Sequence, residues 1–239
     1  MVNMKTSLDI KPLLLVPVLA LLALPLVGSV DTWLTLSVAG LAMGMIIFIM
    51  ASGLTLVFGL MDVLNFGHGV FIALGAFVAT SVMSGMADWT QSQELWRNLL
   101  AVGSAMALAM VASSVIGLAF ERFIVRPVYG QHLKQILITM GGMIIGEEII
   151  KVIWGPLQIA LPLPEAMRGS LLWGDASLEK YRLMAVVVGL LVFVLQAWTL
   201  SRTKVGLLIR AGVQDREMVE SLGYKIRRLF VGVFVVGSG

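Results

Sequence analysis

Three polar side chains interrupt a run of 56 residues (32–87) in which Asp62 is the only charged residue. Asp62, Asn65 and His68 stand three residues apart, between glycines. Glycine permits a broken backbone, and polar side chains can satisfy the peptide groups that a break frees. Two interpretations are open: a tight cytoplasmic turn with Asp62 in water, or a discontinuous helix that lines a transport path. A metal site is not expected, because the only other histidine, His132, lies in a different segment.

A second group of candidates is the acidic pair Glu147 and Glu148, inside the apolar stretch 135–154. A charge at the centre of a membrane helix costs about 2.5 to 3.5 kcal/mol on the insertion scale. Lys151, three and four residues further on, can compensate for it, and Trp154 is typical of a membrane boundary. One interpretation has both carboxylates extending outward to water. The other has them facing a cavity, where they would favour a cationic or zwitterionic solute.

A third candidate is a short amphipathic helix within residues 202–228. Its apolar residues share one helical face: Met218, Val219 and Leu222. Asp215 and Glu217 favour a helix start, and Gly223 suits the position just after a helix end. So long a segment between spans is unusual unless it has a role of its own. The helix either docks on a protein partner or lies on anionic lipid headgroups, which its basic flanks also favour.

The elements that hold these residues are membrane helices. The chain has 239 residues, of which 59% are apolar and 13% are charged, about half the charged fraction of a soluble domain. This composition excludes a soluble globular protein. Windows without charge predict membrane helices at 12–30, 32–61, 63–87, 98–120 and 183–201, with a weaker candidate at 135–154. The predicted fold is an all-α, polytopic transmembrane helical bundle of about six spans plus the start of a further one.

The ends of the chain and the orientation follow from length and charge. The first window, preceded by Lys5 and Lys11, resembles a signal peptide, but an uncleaved first span is preferred because the residues after it make a poor cleavage site. With the N-terminus in the cytoplasm, twelve of the seventeen Lys and Arg residues fall on the inner side, which predicts that orientation. The net charge of +3 therefore reflects inner loops and not nucleic-acid binding. The last apolar run, 229–236, is too short to span a membrane, so residues 1–239 are expected to be a single transmembrane domain truncated at its C-terminus.

Glycine spacing adds one packing prediction. Gly40 and Gly44, and again Gly142 and Gly146, are four residues apart in apolar helices. Small residues at this spacing allow close helix packing. We expect both pairs to pack spans within this subunit.

Three ordered motifs carry a family resemblance. They are Gly59-Leu60-Met61-Asp62-Val63-Leu64-Asn65-Phe66-Gly67-His68-Gly69, then Glu121-Arg122 with Arg126-Pro127-Val128, then Gly206 with Arg210-Ala211, Gln214-Asp215 and Leu222-Gly223. From about residue 33 onward, the chain resembles the permease subunits of branched-chain amino-acid ATP-binding-cassette (ABC) importers. The resemblance implies a multi-pass protein of the bacterial inner (plasma) membrane. It also implies four partners besides membrane lipid: a second related permease, two cytosolic ATPase subunits and a periplasmic solute-binding protein.

The resemblance assigns roles as well. Residues 202–228 would form the cytoplasmic coupling loop, with the apolar face of its helix buried in a groove of the ATPase. The polar rim would comprise Asp215, Arg216, Glu217 and Glu220, and Gly223 would end the helix. The chain itself would be no enzyme and hold no cofactor or metal, because it lacks a Gly-x-x-x-x-Gly-Lys-Ser/Thr loop and its partner uses the ATP. The alternatives are a secondary transporter or channel driven by an ion gradient and, within the family, urea or small carboxylic acids as solutes.

Overall fold

The computed structural model describes residues 10–61, 63–224 and 226–239. Its α-helices are α1 (Ile10–Val27), α2 (Val30–Met61), α3 (His68–Gly85), α4 (Ala87–Thr90), α5 (Leu95–Phe120), α6 (His132–Trp154), α7 (Lys180–Arg202), α8 (Lys204–Gln214), α9 (Arg216–Ser221) and α10 (Ile226–Ser238). A π-helical turn (Glu121–Val125) and a 3-10 turn (Arg126–Val128) continue α5. Strands β1 (Ser170–Trp173) and β2 (Ala176–Glu179) pair between α6 and α7.

The helices are those of a membrane protein. Among the described residues, four are long and apolar enough to cross a bilayer: Val30–Gly59, His68–Gly85, Leu95–Val128 and Lys180–Arg202. The apolar parts of α1 and α10, Leu14–Val27 and Leu229–Ser238, are shorter. A polytopic helical protein is thus confirmed, whereas the six-span count and the cytoplasmic N-terminus stay predictions.

The β-hairpin is a departure from the predicted all-α fold. β1 and β2 are antiparallel and pair Trp173 with Ala176 across a two-residue Gly-Asp turn. Gly174 has a φ of 62°, a left-handed conformation that glycine adopts without strain. The Ser177 N–H donates to Thr35 Oγ1 on α2, at 3.3 Å. The turn has a recognised hairpin signature, but four-residue strands are too short to show a clear alternation of polar and apolar residues.

The core lies where α2, α3, the turn after α5 and α10 meet. Its buried residues are Val57, Val63, Phe71, Val125, Val219, Phe230 and Phe234, which we call the central cluster. The Phe71 ring makes edge-on contacts with Phe120 and Phe234, at centroid distances of 5.3 and 6.1 Å. The cluster therefore draws on segments far apart in the chain, among them α9.

The two glycine pairs behave differently. A Cβ on Gly142 would lie 2.6 Å from the Phe120 ring, and one on Gly146 would lie 2.6 Å from Val70 Cγ1. This pair packs α6 against its neighbours, as predicted. A Cβ on Gly40 or Gly44 would meet nothing within 4 Å among the residues that the structure describes, so in this part of the chain the prediction of packing within the subunit is wrong for that pair.

Candidate functional site

The first candidate site is the interruption between α2 and α3. The His68 ring donates from Nε2 to the carbonyl oxygen of Met50, at 3.2 Å. Met50 precedes Met61, the last residue of α2, by eleven positions, or about 16 Å at 1.5 Å per residue. Residues 63–67 therefore return alongside α2, and α3 begins next to the interior of a spanning helix. α2 and α3 are thus two separate helices joined by this returning segment, and the choice between a cytoplasmic turn and a discontinuous helix stays a prediction; Asp62 lies outside the described residues.

Side chains form hydrogen bonds with some of the backbone groups of residues 63–67, which we call the returning segment. Asn65 Oδ1 accepts a hydrogen bond from the Gly67 N–H at 3.0 Å. The hydroxyl of Thr139 on α6 accepts the Phe66 N–H at 3.4 Å and lies 3.3 Å from the Leu64 carbonyl oxygen. Exposed peptide groups are costly in an apolar medium, so Thr139 holds the break in place. Sequence reasoning missed Thr139, although a polar residue in an apolar helix was a usable signal.

Two buried amides accompany the break. Asn65 is 3% exposed and Gln135 is 1% exposed. Gln135 Nε2 donates to the Val128 carbonyl oxygen at 3.0 Å, which ties α6 to the turn after α5. Asn65 Nδ2 and Gln135 Oε1 have no hydrogen-bond partner among the described residues. A buried polar group left unpaired costs about 1 to 3 kcal/mol, so these two amide atoms are available for a further hydrogen bond.

A cavity of about 640 Å³ lies beside the break. Its walls come from the second half of α2, the returning segment and the first turns of α3, and include Ile47, Leu54, Phe58, Asn65, His68 and Ile72. Leu54 and Phe58 are 41% and 46% exposed, so the cavity opens at the surface of the chain. Its volume falls within the range of about 300 to 1,000 Å³ that is usual for small-molecule pockets. The lining is mostly apolar, with a few polar groups at the break.

The acidic pair lies elsewhere. Glu147 and Glu148 are exposed on α6, and neither lines the cavity. Lys151 Nζ contacts Glu148 Oε1 at 2.6 Å. One turn on, the Trp154 ring packs against Phe77 and its Nε1 donates to Ser81 Oγ at 2.8 Å. The structure therefore does not bring these carboxylates together with Asn65 and His68.

The second candidate site is α9, which is closed at both ends. Asp215 is its N-cap, and Oδ1 accepts the Met218 N–H at 2.9 Å. After the helix, Gly223 adopts a φ of 85°, and the Tyr224 N–H donates to the Val219 carbonyl oxygen at 3.3 Å. This last bond is typical of the Schellman motif that ends helices at glycine. The predicted helix start at Asp215 and stop at Gly223 are confirmed.

The apolar residues of α9 do not share one environment. Val219 is 2% exposed and belongs to the central cluster, whereas Met218 and Leu222 are 48% and 67% exposed. The predicted single face for the ATPase is therefore divided, because Val219 packs in this chain's own core. Asp215 and Glu220 are exposed. The predicted roles of the Arg216 and Glu217 side chains fall outside what the structure describes.

The preceding helix fixes α9 to a spanning helix. The Thr203 hydroxyl, the N-cap of α8, accepts the Gly206 N–H at 3.1 Å. A Cβ at Gly206 would collide with the carbonyl oxygens of Thr199 and Leu200 at the end of α7. Only glycine permits this approach, so α8 begins in direct contact with α7 and carries α9 close to the core.

Four helices that are long and apolar enough to cross a bilayer, a cavity beside the segment between α2 and α3, and a capped helix that follows α7 and α8 define a multi-pass membrane protein. The chain belongs to the family described as "Branched-chain amino acid transport system / permease component", whose sequence model matches residues 36–239. The family match includes both candidate sites. It agrees with the resemblance carried by the three motifs.

Curated relatives agree with this assignment. The chain is 25% identical over 207 residues to the high-affinity branched-chain amino acid transport system permease protein BraD of Pseudomonas aeruginosa, which covers 84% of this chain and 66% of BraD. It is 24% identical over 205 residues to the corresponding LivH proteins of Salmonella typhimurium and Escherichia coli K12, covering 83% of this chain and 65% of each relative. The match thus spans slightly less than two thirds of these relatives. No solved structure matches the chain.

Proposed function

We propose that the chain is a permease subunit of an ABC importer that carries branched-chain or related amino acids across the bacterial inner membrane. It would act with a second permease, two cytosolic ATPases that use the ATP, and a periplasmic binding protein. The substrate class rests on family membership and on relatives named for branched-chain amino acid transport. The observation that supports the ATP-driven mechanism is the structure of α9: the helix is capped, and Met218 and Leu222 are exposed.

The coupling role follows from the two faces of α9. A six-residue helix is too short to be stable by itself, yet this one has a cap at each end and a buried anchor. Its exposed Met218 and Leu222 would enter a groove on the ATPase, and fully burying a side chain of this size contributes about 1.5 to 3 kcal/mol. The rim would be formed by Asp215, Arg216, Glu217 and Glu220, with Gly223 ending the helix.

The translocation path would run along the cavity at the helix break. Asn65 and His68 would meet the solute there, together with Asp62, while the apolar walls suit an aliphatic side chain. Glu147 and Glu148 would contribute at a separate position, outside this cavity. The cavity opens at the chain surface, where the second permease would complete its wall.

Uptake into proteoliposomes tests the proposal. The complete complex is reconstituted with its binding protein, ion gradients are collapsed with ionophores, and uptake of labelled leucine is measured with and without ATP on the ATPase side. We expect uptake to require ATP and to survive the loss of gradients. Uptake that needs a gradient and is indifferent to ATP would establish the secondary-transporter alternative. Competition by urea, a small carboxylic acid or an aromatic amino acid then assigns the solute class.

A further inference from the structure

Val219 is the one residue of α9 in the central cluster, and the cluster joins it to the helix break. Val219 is 2% exposed and Val63, the first described residue after α2, is fully buried. The same cluster holds Val57 of α2 and Phe71 of α3, the helices on either side of the break. Val219, on the segment proposed for coupling, therefore belongs to the same buried cluster as residues of α2, the returning segment and α3.

We propose that Val219 is a positioning residue that transmits the movement of α9 to the helix break. The proposal rests on the proposed coupling role of α9. Protein cores are close-packed and shift between discrete arrangements without deforming continuously. A displacement of α9 by the ATPase consequently requires the central cluster to repack, and Val63 repacks with it.

The central cluster reaches the returning segment at Val63, the first residue of that segment. Leu64 and Phe66 meet the Thr139 hydroxyl over 3.3 and 3.4 Å, which are long hydrogen bonds. Asn65, between them, has a buried Nδ2 with no partner among the described residues. Asn65 and His68, two and five residues after Val63, line the cavity, so repacking at Val63 would alter the cavity wall.

α9 is also connected to α10 through the covalent chain. A substitution that changes only the packing of Val219 distinguishes this connection from the one through the central cluster. Val219→Ala removes packing and leaves both caps of α9 and the covalent chain in place. We expect ATPase subunits to co-purify at the wild-type level and binding-protein-stimulated ATP hydrolysis to persist. Solute imported per ATP hydrolysed should fall about fivefold, within the range of coupling changes produced by substitutions between sites.

The matched control is Val233→Ala, which also truncates a buried valine but lies on α10 outside the central cluster. Its solute-to-ATP ratio should stay at the wild-type value. Val63→Ala truncates another valine of the central cluster, at the break, and should lower the ratio as Val219→Ala does. It keeps the test valid if Val219→Ala does not accumulate in the membrane.

Each outcome has one meaning. Equal ratios for Val219→Ala, Val63→Ala and Val233→Ala, in assembled complexes, would overturn the transmission role. Loss of ATPase co-purification in Val219→Ala would also overturn it, because Val219 would then be a docking residue. Failure of the proposed coupling role is a different result: Met218→Ser with Leu222→Ser would leave ATPase co-purification intact.

Discussion

The crossing of α2 and α10 gives the sharpest prediction, because two glycines in the same helix differ only in what surrounds them. Gly53 is buried, and a Cβ there would lie 2.5 Å from the Gly237 carbonyl oxygen and 3.0 Å from His68 Cε1. A Cβ at Gly44 would meet no described residue within 4 Å. We predict that Gly53→Ala destabilises the protein relative to Gly44→Ala.

The magnitude follows from the contacts. Both substitutions gain about 1 kcal/mol of helix propensity, so this contribution cancels between them. The favourable carbon contact distance is about 3.5 to 4.0 Å, and the obstructing atom at Gly53 belongs to a backbone that must shift by about 1 Å. Overpacking of this kind costs about 1 to 3 kcal/mol. Gly53→Ala should therefore be less stable than Gly44→Ala by that amount.

The assay is unfolding of the purified variants in identical detergent, followed by tryptophan fluorescence. A difference of 1.4 kcal/mol changes the equilibrium constant about tenfold, which such a measurement resolves. Gly53→Ala should also import less solute than Gly44→Ala, because it presses on His68 at the cavity. Equal stability of the two variants would refute the close approach of α2 and α10.

Three further predictions concern the break and α9. Thr139→Val removes the hydroxyl that contacts the returning segment and should lower the free energy of unfolding by about 1 to 2 kcal/mol. Thr80→Val is the control, because among the described residues its hydroxyl bonds to its own helix, and it should lower the free energy of unfolding by less. A larger loss of stability for Thr80→Val in the same unfolding assay would contradict this prediction. Asn65→Leu should reduce uptake while ATPase co-purification persists, and unaltered uptake would remove Asn65 from the path. Asp215→Ala deletes an N-cap that contributes about 0.5 to 2 kcal/mol, and proline in Gly223→Pro cannot adopt the φ of 85°. Both variants should stay in the membrane fraction but co-purify less ATPase. Co-purification at the wild-type level would count against docking of α9 on the ATPase.

Local signals in the sequence predicted the ends of α9 but not its orientation. An N-cap aspartate and a C-terminal glycine act within a few residues of themselves, so Asp215 and Gly223 were readable without tertiary structure. An apolar face shows that one side of a helix will be buried, but it does not show which other element or partner will cover that side. Only the arrangement of α2, α3 and α10 places Val219 in the core and leaves Met218 and Leu222 exposed.

The break shows the same limit. Glycines with Asn65 and His68 indicated an interruption between apolar segments, and left a turn and a discontinuous helix as its two interpretations. The contacts that determine its shape come from elsewhere: Met50 lies eighteen residues before His68, and Thr139 lies over seventy residues after Leu64. Such pairings depend on how helices pack and leave no periodic trace in the sequence.

The length of α2 has a mechanical consequence. Its 32 residues make a continuous rod of about 48 Å, which carries Thr35 beside the β-hairpin near one end and Val57 in the central cluster near the other. A tilt of this helix about its middle would therefore move Val57 and the hairpin contact in opposite directions. The cavity lies along the second half of the same helix, so such a tilt would change the cavity together with the hairpin.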